Sequence, residues 1–122
     1  MSVINVLVAE DDKLNRLMLC RLLAKLGTET KDASNGQEAV EKEQEGSFDI
    51  VLLDYNMPVY SGAESARLIR ENCEKDGRRT PLLVCVSADE DLSDSGVFDC
   101  FLPKPFKIED IQGILDKISQ GE

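Results

Sequence analysis

Apolar and polar residues fall along this chain in alternating blocks. Residues 4–9 (INVLVA) form a short apolar run rich in β-branched side chains, and after an acidic cluster residues 13–26 show helical spacing that ends at Gly27. Residues 28–33 make a weaker extended segment; Asn35-Gly36 then opens a polar helix over residues 37–45, closed by Gly46. The unit repeats. Residues 48–53 (FDIVLL) predict a nearly all-apolar strand, residues 55–62 a loop carrying Pro58 and Gly62, and residues 63–72 a helix through Ala63, Ala66 and Ile69. A charged linker is expected over residues 75–80, a fourth strand over 81–86 (PLLVCV) and a short fifth over 100–102. Ile108, Ile111, Leu115 and Ile118 trace one face of a last helix.

Strands that are apolar on both faces belong in a parallel sheet covered by helices on each side. Their alternation with helices predicts a doubly wound α/β fold, and 122 residues suffice for one domain, residues 1–122. Ligands of such sheets sit beyond the carboxyl ends of the strands. That edge collects Glu10, Asp11 and Asp12 after the first strand, Asp54 after the third, Ser87 after the fourth and Lys104 after the fifth.

Composition narrows the chemistry available there. Lys plus Arg number 14 against 24 Asp plus Glu, a formal charge of −10 that disfavours nucleic acid and anionic membrane surfaces as partners. No histidine is present, which excludes His-based triads, His-ligated zinc and a phosphohistidine on this chain. Cys20, Cys73, Cys85 and Cys100 lie too far apart for a C-x-x-C pattern and read as small buried hydrophobes in a reducing compartment. With no signal peptide before the first strand and no apolar stretch near the roughly 20 residues of a membrane span, a cytosolic or nuclear location is expected.

Carboxylates must therefore supply any chemistry. Asp11 or Asp12 could simply cap the following helix, Ser87 could begin a turn, and Lys104 could be an ordinary surface lysine. Asp54 is harder to place in a bland role, since a carboxylate directly after the apolar residues 50–53 is costly unless paired or metal-bound. Gathered at one edge, Glu10, Asp11 and Asp54 must take up protons or hold a cation, and oxygen-only donors suit Mg²⁺. A metal-held aspartate can attack phosphorus to give an aspartyl phosphate. The equatorial oxygens then need neutralising, for which Mg²⁺, Lys104 and Ser87 with nearby N–H groups are the candidates.

The motifs VLVAEDD (residues 6–12), NGQEA (35–39), LLDYNMPVYSG (52–62), VSA (86–88) and FLPKPF (101–106) carry a resemblance. With them, over essentially its whole length, the chain resembles the receiver domains of two-component response regulators and hybrid histidine kinases. The resemblance implies a flavodoxin-like, five-stranded parallel sheet of order 2-1-3-4-5 with helices on both faces. It also implies Asp54 as phosphoacceptor, Asp11 as a direct Mg²⁺ ligand, Glu10 as a ligand through bound water, and Asn56 as a ligand through its main-chain carbonyl. Ser87 and Lys104 would bind the phosphoryl group, Pro105 would follow a cis bond, and Phe101 would be a switch aromatic responding to Ser87. The implied partner is a histidine kinase or histidine phosphotransfer protein, the chain itself catalysing phosphorylation and dephosphorylation. Asn56 and Asp89 stand at positions that tune hydrolysis, and predict faster phosphoryl loss than in members with bulky groups there. The chain would be a stand-alone receiver or one excised from a larger, membrane-bound hybrid kinase.

Three departures qualify the resemblance. Only eleven residues, 88–98, join Ser87 to the fifth strand, and most favour loops and caps. The fourth helix is expected to be cut to one turn or lost, which argues against homodimerisation through that face. Phe101 lacks the hydroxyl of a tyrosine, and burial in the core is its alternative role. In the first helix, at about 100° per residue, Met18, Leu19, Leu22, Leu23 and Leu26 span one side while Leu14, Leu17 and Cys20 point elsewhere. A phosphotransfer helical bundle is expected to dock on Leu14, Leu17, Pro105 and Phe106, scattered surface leucines being the alternative. Functional alternatives are an aspartyl-nucleophile phosphatase, a flavodoxin-like cofactor carrier, or a degenerate receiver that only binds. The first wants a second acid where Asn56 stands, and the second a phosphate loop that is missing.

Overall fold

Each interior strand divides its side chains between two cores, and this division explains the apolar runs. In a computed structural model that describes residues 3–88 and 95–120, β1 (Asn5–Ala9), β2 (Glu29–Ala33), β3 (Ile50–Asp54), β4 (Leu82–Ser87) and β5 (Cys100–Pro103) form one parallel sheet. The order is β2-β1-β3-β4-β5. Leu7, Val51, Leu53, Leu83 and Cys85 face one way, onto α2 (Gly36–Glu45) and α3 (Gly62–Asp76) through Ala39, Ala66, Ile69 and Cys73. Val6, Val8, Ile50, Leu52, Val84 and Val86 face the other, onto α1 (Lys13–Lys25) and α4 (Ile108–Gln120) through Leu19, Leu23, Ile111 and Leu115. Period-two alternation with both faces covered leaves no place for a polar residue in the middle of β1 or β3. The sheet edge β2 (ETKDA) is mostly exposed and correspondingly polar. The doubly wound, flavodoxin-like fold with strand order 2-1-3-4-5 is thus observed. The described residues form four α-helices, none long and apolar enough to cross a membrane.

Local chemistry sets the helix starts. Asp12 caps α1 by accepting from Asn15 N at 3.0 Å, Asn35 caps α2 from Glu38 N at 2.8 Å, and Ser61 caps α3 from Glu64 N at 3.1 Å. Asp12, not Asp11, is therefore the cap.

Several boundaries differ from the sequence expectation. The helix α3 runs to Asp76, through the start of the expected charged linker, because Glu71, Glu74 and Lys75 lie on its exposed face while Cys73 continues the buried row of Ala66 and Ile69. Gly77, at φ 67°, ends it by donating to the Cys73 and Glu74 carbonyls. The strand β3 begins at Ile50; just before it, Asp49 donates from its main-chain N to Asn5 O at 2.8 Å, and its carboxylate accepts from Asn5 N at 2.9 Å. On α1, Met18 is 46% exposed and Cys20 packs against the core, the reverse of the expectation. Both lie at the margins of the buried stripe, where the sheet's position decides which side is covered.

Among the described residues, only a 3₁₀ turn, Ser95–Val97, lies between β4 and β5. It is anchored to α3, whose Arg70 donates from Nε to Val97 O (2.8 Å) and pairs through Nη2 with Asp99 Oδ1 (3.0 Å). Phe98 behind it is buried. Asp89, part of the hydrolysis expectation, lies outside the described residues.

Candidate functional site

The carboxyl ends of β1 and β3 are adjacent because these strands pair directly, Ala9 opposite Leu53. The residues that follow, Glu10 and Asp11 on one side and Asp54 on the other, are thereby forced together. Oxygen atoms of the three carboxylates lie within 4.8 Å of one another. Glu10 is 1% and Asp54 6% exposed, whereas Asp11 opens to solvent. From the end of β5, Lys104 reaches into the cluster, its Nζ 3.1 Å from Asp54 Oδ1 and 3.1 Å from Glu10 Oε1. The peptide bond from Lys104 to Pro105 is cis, as the resemblance implies. Ser87, half-buried at the end of β4, accepts from Lys104 N through its main-chain oxygen at 3.0 Å. One edge thus unites Glu10, Asp11, Asp54, Ser87 and Lys104.

The loop after Asp54 is pulled tight. Tyr55 N donates to Val86 O, and Gly62 N returns to Tyr55 O at 2.9 Å; Asn56, within this loop, is exposed. Gly62 is required by close approach: a Cβ there would lie 2.5 Å from Asp54 O.

Burial and crowding act on the charges. Burial, and then the neighbouring Asp54 carboxylate, push the Glu10 carboxyl above its ordinary range. For Lys104 burial acts to lower the value, but its contacts with Glu10 and Asp54 outweigh it and hold the ammonium above its usual range. Glu10 Oε2 accepts from Asp12 N at 3.2 Å. Glu10 Oε1 is buried and accepts no hydrogen bond; its near neighbour is the Lys104 ammonium at 3.1 Å, an ion pair. A buried carboxylate oxygen lacking a hydrogen bond, set among oxygen donors with no His or Cys ligand, fits a hard cation such as Mg²⁺.

Of the remaining expected residues, Leu14 is 65% and Leu17 43% exposed, on the α1 face near this edge. Asn15, Met18, Ala88, Lys104, Pro105 and Phe106 line a mainly apolar groove of about 380 Å³ beside it. Phe101 is 52% exposed and tilted against Phe98 at 6.2 Å between ring centres, so it does not belong to the buried core. Sequence reasoning missed Arg16, whose Nη1 donates to Glu10 O at 2.8 Å. Nothing in the sequence separates it from the other cations of α1.

The response regulator receiver domain family matches residues 6–116, and the chain belongs to this family. It is 37% identical over 117 residues to the two-component response regulator ORR42 of Oryza sativa subsp. japonica, covering 95% of this chain and 87% of the relative. It is 28% identical over 120 residues to hybrid signal transduction histidine kinase G of Dictyostelium discoideum; that match takes in 93% of the chain but spans only 4% of the kinase. Among solved structures, it resembles the receiver domain of sensor histidine kinase PA1611 from Pseudomonas aeruginosa PAO1, which holds a magnesium ion in its active-site cleft. The TM-score is 0.85 and the identity 27%, over 97% of this chain and 99% of that one. It also resembles the receiver domain of Ssk1 in complex with the histidine phosphotransfer protein Ypd1 of Saccharomyces cerevisiae. There the TM-score is 0.82 and the identity 29%, over 96% and 87% of the two chains. The chain is a receiver domain of two-component signalling.

Proposed function

We propose that this receiver takes a phosphoryl group from a phosphohistidine onto Asp54 and releases it again by hydrolysis, in a Mg²⁺-dependent phosphorelay. The observation that carries the reading is the meeting of three carboxylates with Lys104, which lies 3.1 Å from two of them. Glu10, Asp11, Asp54 and the Asn56 main chain would hold Mg²⁺, whose charge offsets that of the incoming phosphoryl oxygens.

Asp54 supplies the nucleophile. Its carboxylate forms the new O–P bond as the donor's N–P bond breaks, and the electron pair of that bond returns to the imidazole, which leaves as the neutral base once protons equilibrate. Lys104 is already aimed at Asp54 and is kept charged by its carboxylate neighbours, so it can follow the transferred charge onto the phosphoryl oxygens. Ser87, from the adjoining strand end, would take a further oxygen, and the exposed Phe101 two residues into β5 would respond to that movement. In the test, the purified chain is mixed with acetyl phosphate and Mg²⁺, and its intact mass is followed. Uptake of one phosphoryl group, prevented by a chelator of Mg²⁺ and lost over time, is expected; an unchanged mass at saturating donor would overturn the reading.

A histidine phosphotransfer protein or kinase helical bundle is the proposed donor, docking on Leu14, Leu17, Pro105 and Phe106 beside the groove. Leu17→Asp places a charge on that face without entering the site. It is expected to slow transfer from a phosphorylated helical bundle by about tenfold or more, while leaving uptake from acetyl phosphate unchanged. Equal slowing with both donors would assign Leu17 to the fold instead.

A further inference from the structure

Arg16 has no role in the chemistry above, yet it is bound to the turn that carries two of the acids. It lies in the first turn of α1, with its main-chain N donating to Asp12 O at 2.9 Å. Its side chain extends back over the same turn. There Nη1 donates to the main-chain oxygen of Glu10 at 2.8 Å, while Nε meets Asp32 Oδ2, near the end of β2, at 3.2 Å. Ladder pairing of β1 with β2 ends at Ala9 and Ala33, and Glu10 N makes one last bond to Ala33 O. The Glu10 carbonyl is thus beyond the ladder, and Arg16 supplies its donor.

The peptide unit between Glu10 and Asp11 determines the direction in which the Asp11 side chain leaves the backbone. Fixing the Glu10 carbonyl therefore fixes how Asp11 meets Asp54. A guanidinium beside an acidic pocket would also compete with a bound cation, and Asp32 offsets that charge. Asp32 is itself held from α2, since Lys42 Nζ donates to its main-chain oxygen. The Arg16 side chain is 17% exposed and that of Asp32 50%, so the pair adds little to stability, but its planar fork has the geometry to orient a carbonyl.

We propose that Arg16 is a positioning residue of the Mg²⁺ site, holding the Glu10–Asp11 peptide in the conformation that gathers the three carboxylates, with Asp32 steadying it and cancelling its charge. The proposal rests on the Mg²⁺ reading given above. Its test is the titration of Mg²⁺ into the full chain by calorimetry, with the Asp11 amide followed by NMR. Arg16→Met is expected to raise the Mg²⁺ Kd about tenfold and to shift the Asp11 amide of the metal-free protein. Arg16→Lys, which keeps a charged donor, recovers part of the affinity, and Asp32→Asn raises the Kd about threefold, more at low salt than at high. If Arg16 only supports the fold, the unfolding midpoint falls while the folded variant binds Mg²⁺ within about twofold of wild type; that result overturns the proposal. Should Arg16→Met fail to fold, an unchanged Kd in Asp32→Asn overturns it equally. A wild-type chain that binds no Mg²⁺ removes the functional reading along with it, whereas normal wild-type binding with unaltered variants removes this inference alone.

Discussion

Asp54→Asn is expected to lower phosphoryl uptake from acetyl phosphate by at least about a thousandfold without weakening the fold. The amide keeps the shape of the carboxylate but offers no anionic oxygen to attack phosphorus; Glu10 lies equally close to Lys104, but Asp54 alone ends a strand paired with β4, which carries Ser87. Stability is expected to hold or rise slightly, because the substitution removes one of three like charges whose oxygens lie within 4.8 Å of one another. Lys104 retains Glu10 as a partner at 3.1 Å. The pH dependence changes in a definite direction. Burial and the Asp54 carboxylate raise Glu10 above its ordinary value of 4.5, so the folded state binds that proton more tightly than the unfolded chain does. The resulting stabilisation is fully present below the ordinary value and is lost as pH rises through the raised one. In Asp54→Asn one cause of the rise is removed, and the loss occurs over a smaller interval closer to 4.5. Mass analysis of uptake and urea unfolding at several pH values check both parts; uptake near the wild-type rate would move the acceptor elsewhere.

Arg78→Met is expected to cost about 3 kcal/mol of stability, the largest structural effect outside the site. Its partner Glu43 projects from α2 toward the carboxyl end of α3 with its side chain only 2% exposed. Arg78 meets it with two contacts, Nη1 to Oε2 at 2.9 Å and Nη2 to Oε1 at 3.3 Å, and Cys73 Sγ lies 3.5 Å from Oε2. Without Arg78 the carboxylate stays buried with a thiol as its remaining partner, which is the costly way to break a buried ion pair. Replacing both members, as in Glu43→Leu with Arg78→Met, is expected to restore most of the loss, because desolvation of the charges is then never incurred. Urea unfolding of the single and double variants measures this. A single variant within about 1 kcal/mol of wild type would show the pair to be screened by solvent through the half-buried Arg78. Phosphoryl uptake below the unfolding transition should be unaffected, since the pair lies near the opposite edge of the sheet.

The site was legible in the sequence to an unusual degree, for a reason that lies in the fold type. In a parallel sheet covered on both faces, an acid can stand only where a strand ends, so Glu10, Asp54 and Lys104 announce themselves as polar residues bordering apolar runs. What misled were charge and helix margins. Lys75 and Asp76 resembled a linker because exposed helix faces and linkers share a composition, and only Cys73, buried one turn earlier, shows that α3 continues. Met18 and Cys20 exchanged roles because a helical wheel specifies angles but not where the sheet stops covering them. Phe101 appeared equally suited to core or surface. Its ring lies mostly exposed against Phe98.

Sequence alone determined the α/β class, the edge of the sheet where the candidate site lies, and the acids, hydroxyl and lysine that stand there. It did so because strand periodicity and the cost of burying a charge act on neighbouring residues and are visible in one dimension. Tertiary structure alone decided that Glu43 is neutralised by Arg78 from 35 residues away, and that Asp32 meets the Arg16 side chain that holds the Glu10 carbonyl. These contacts depend on the register of β1 with β2 and on how α2 packs against α3. Such placements are set by three-dimensional packing between distant segments, which no local pattern of residues encodes.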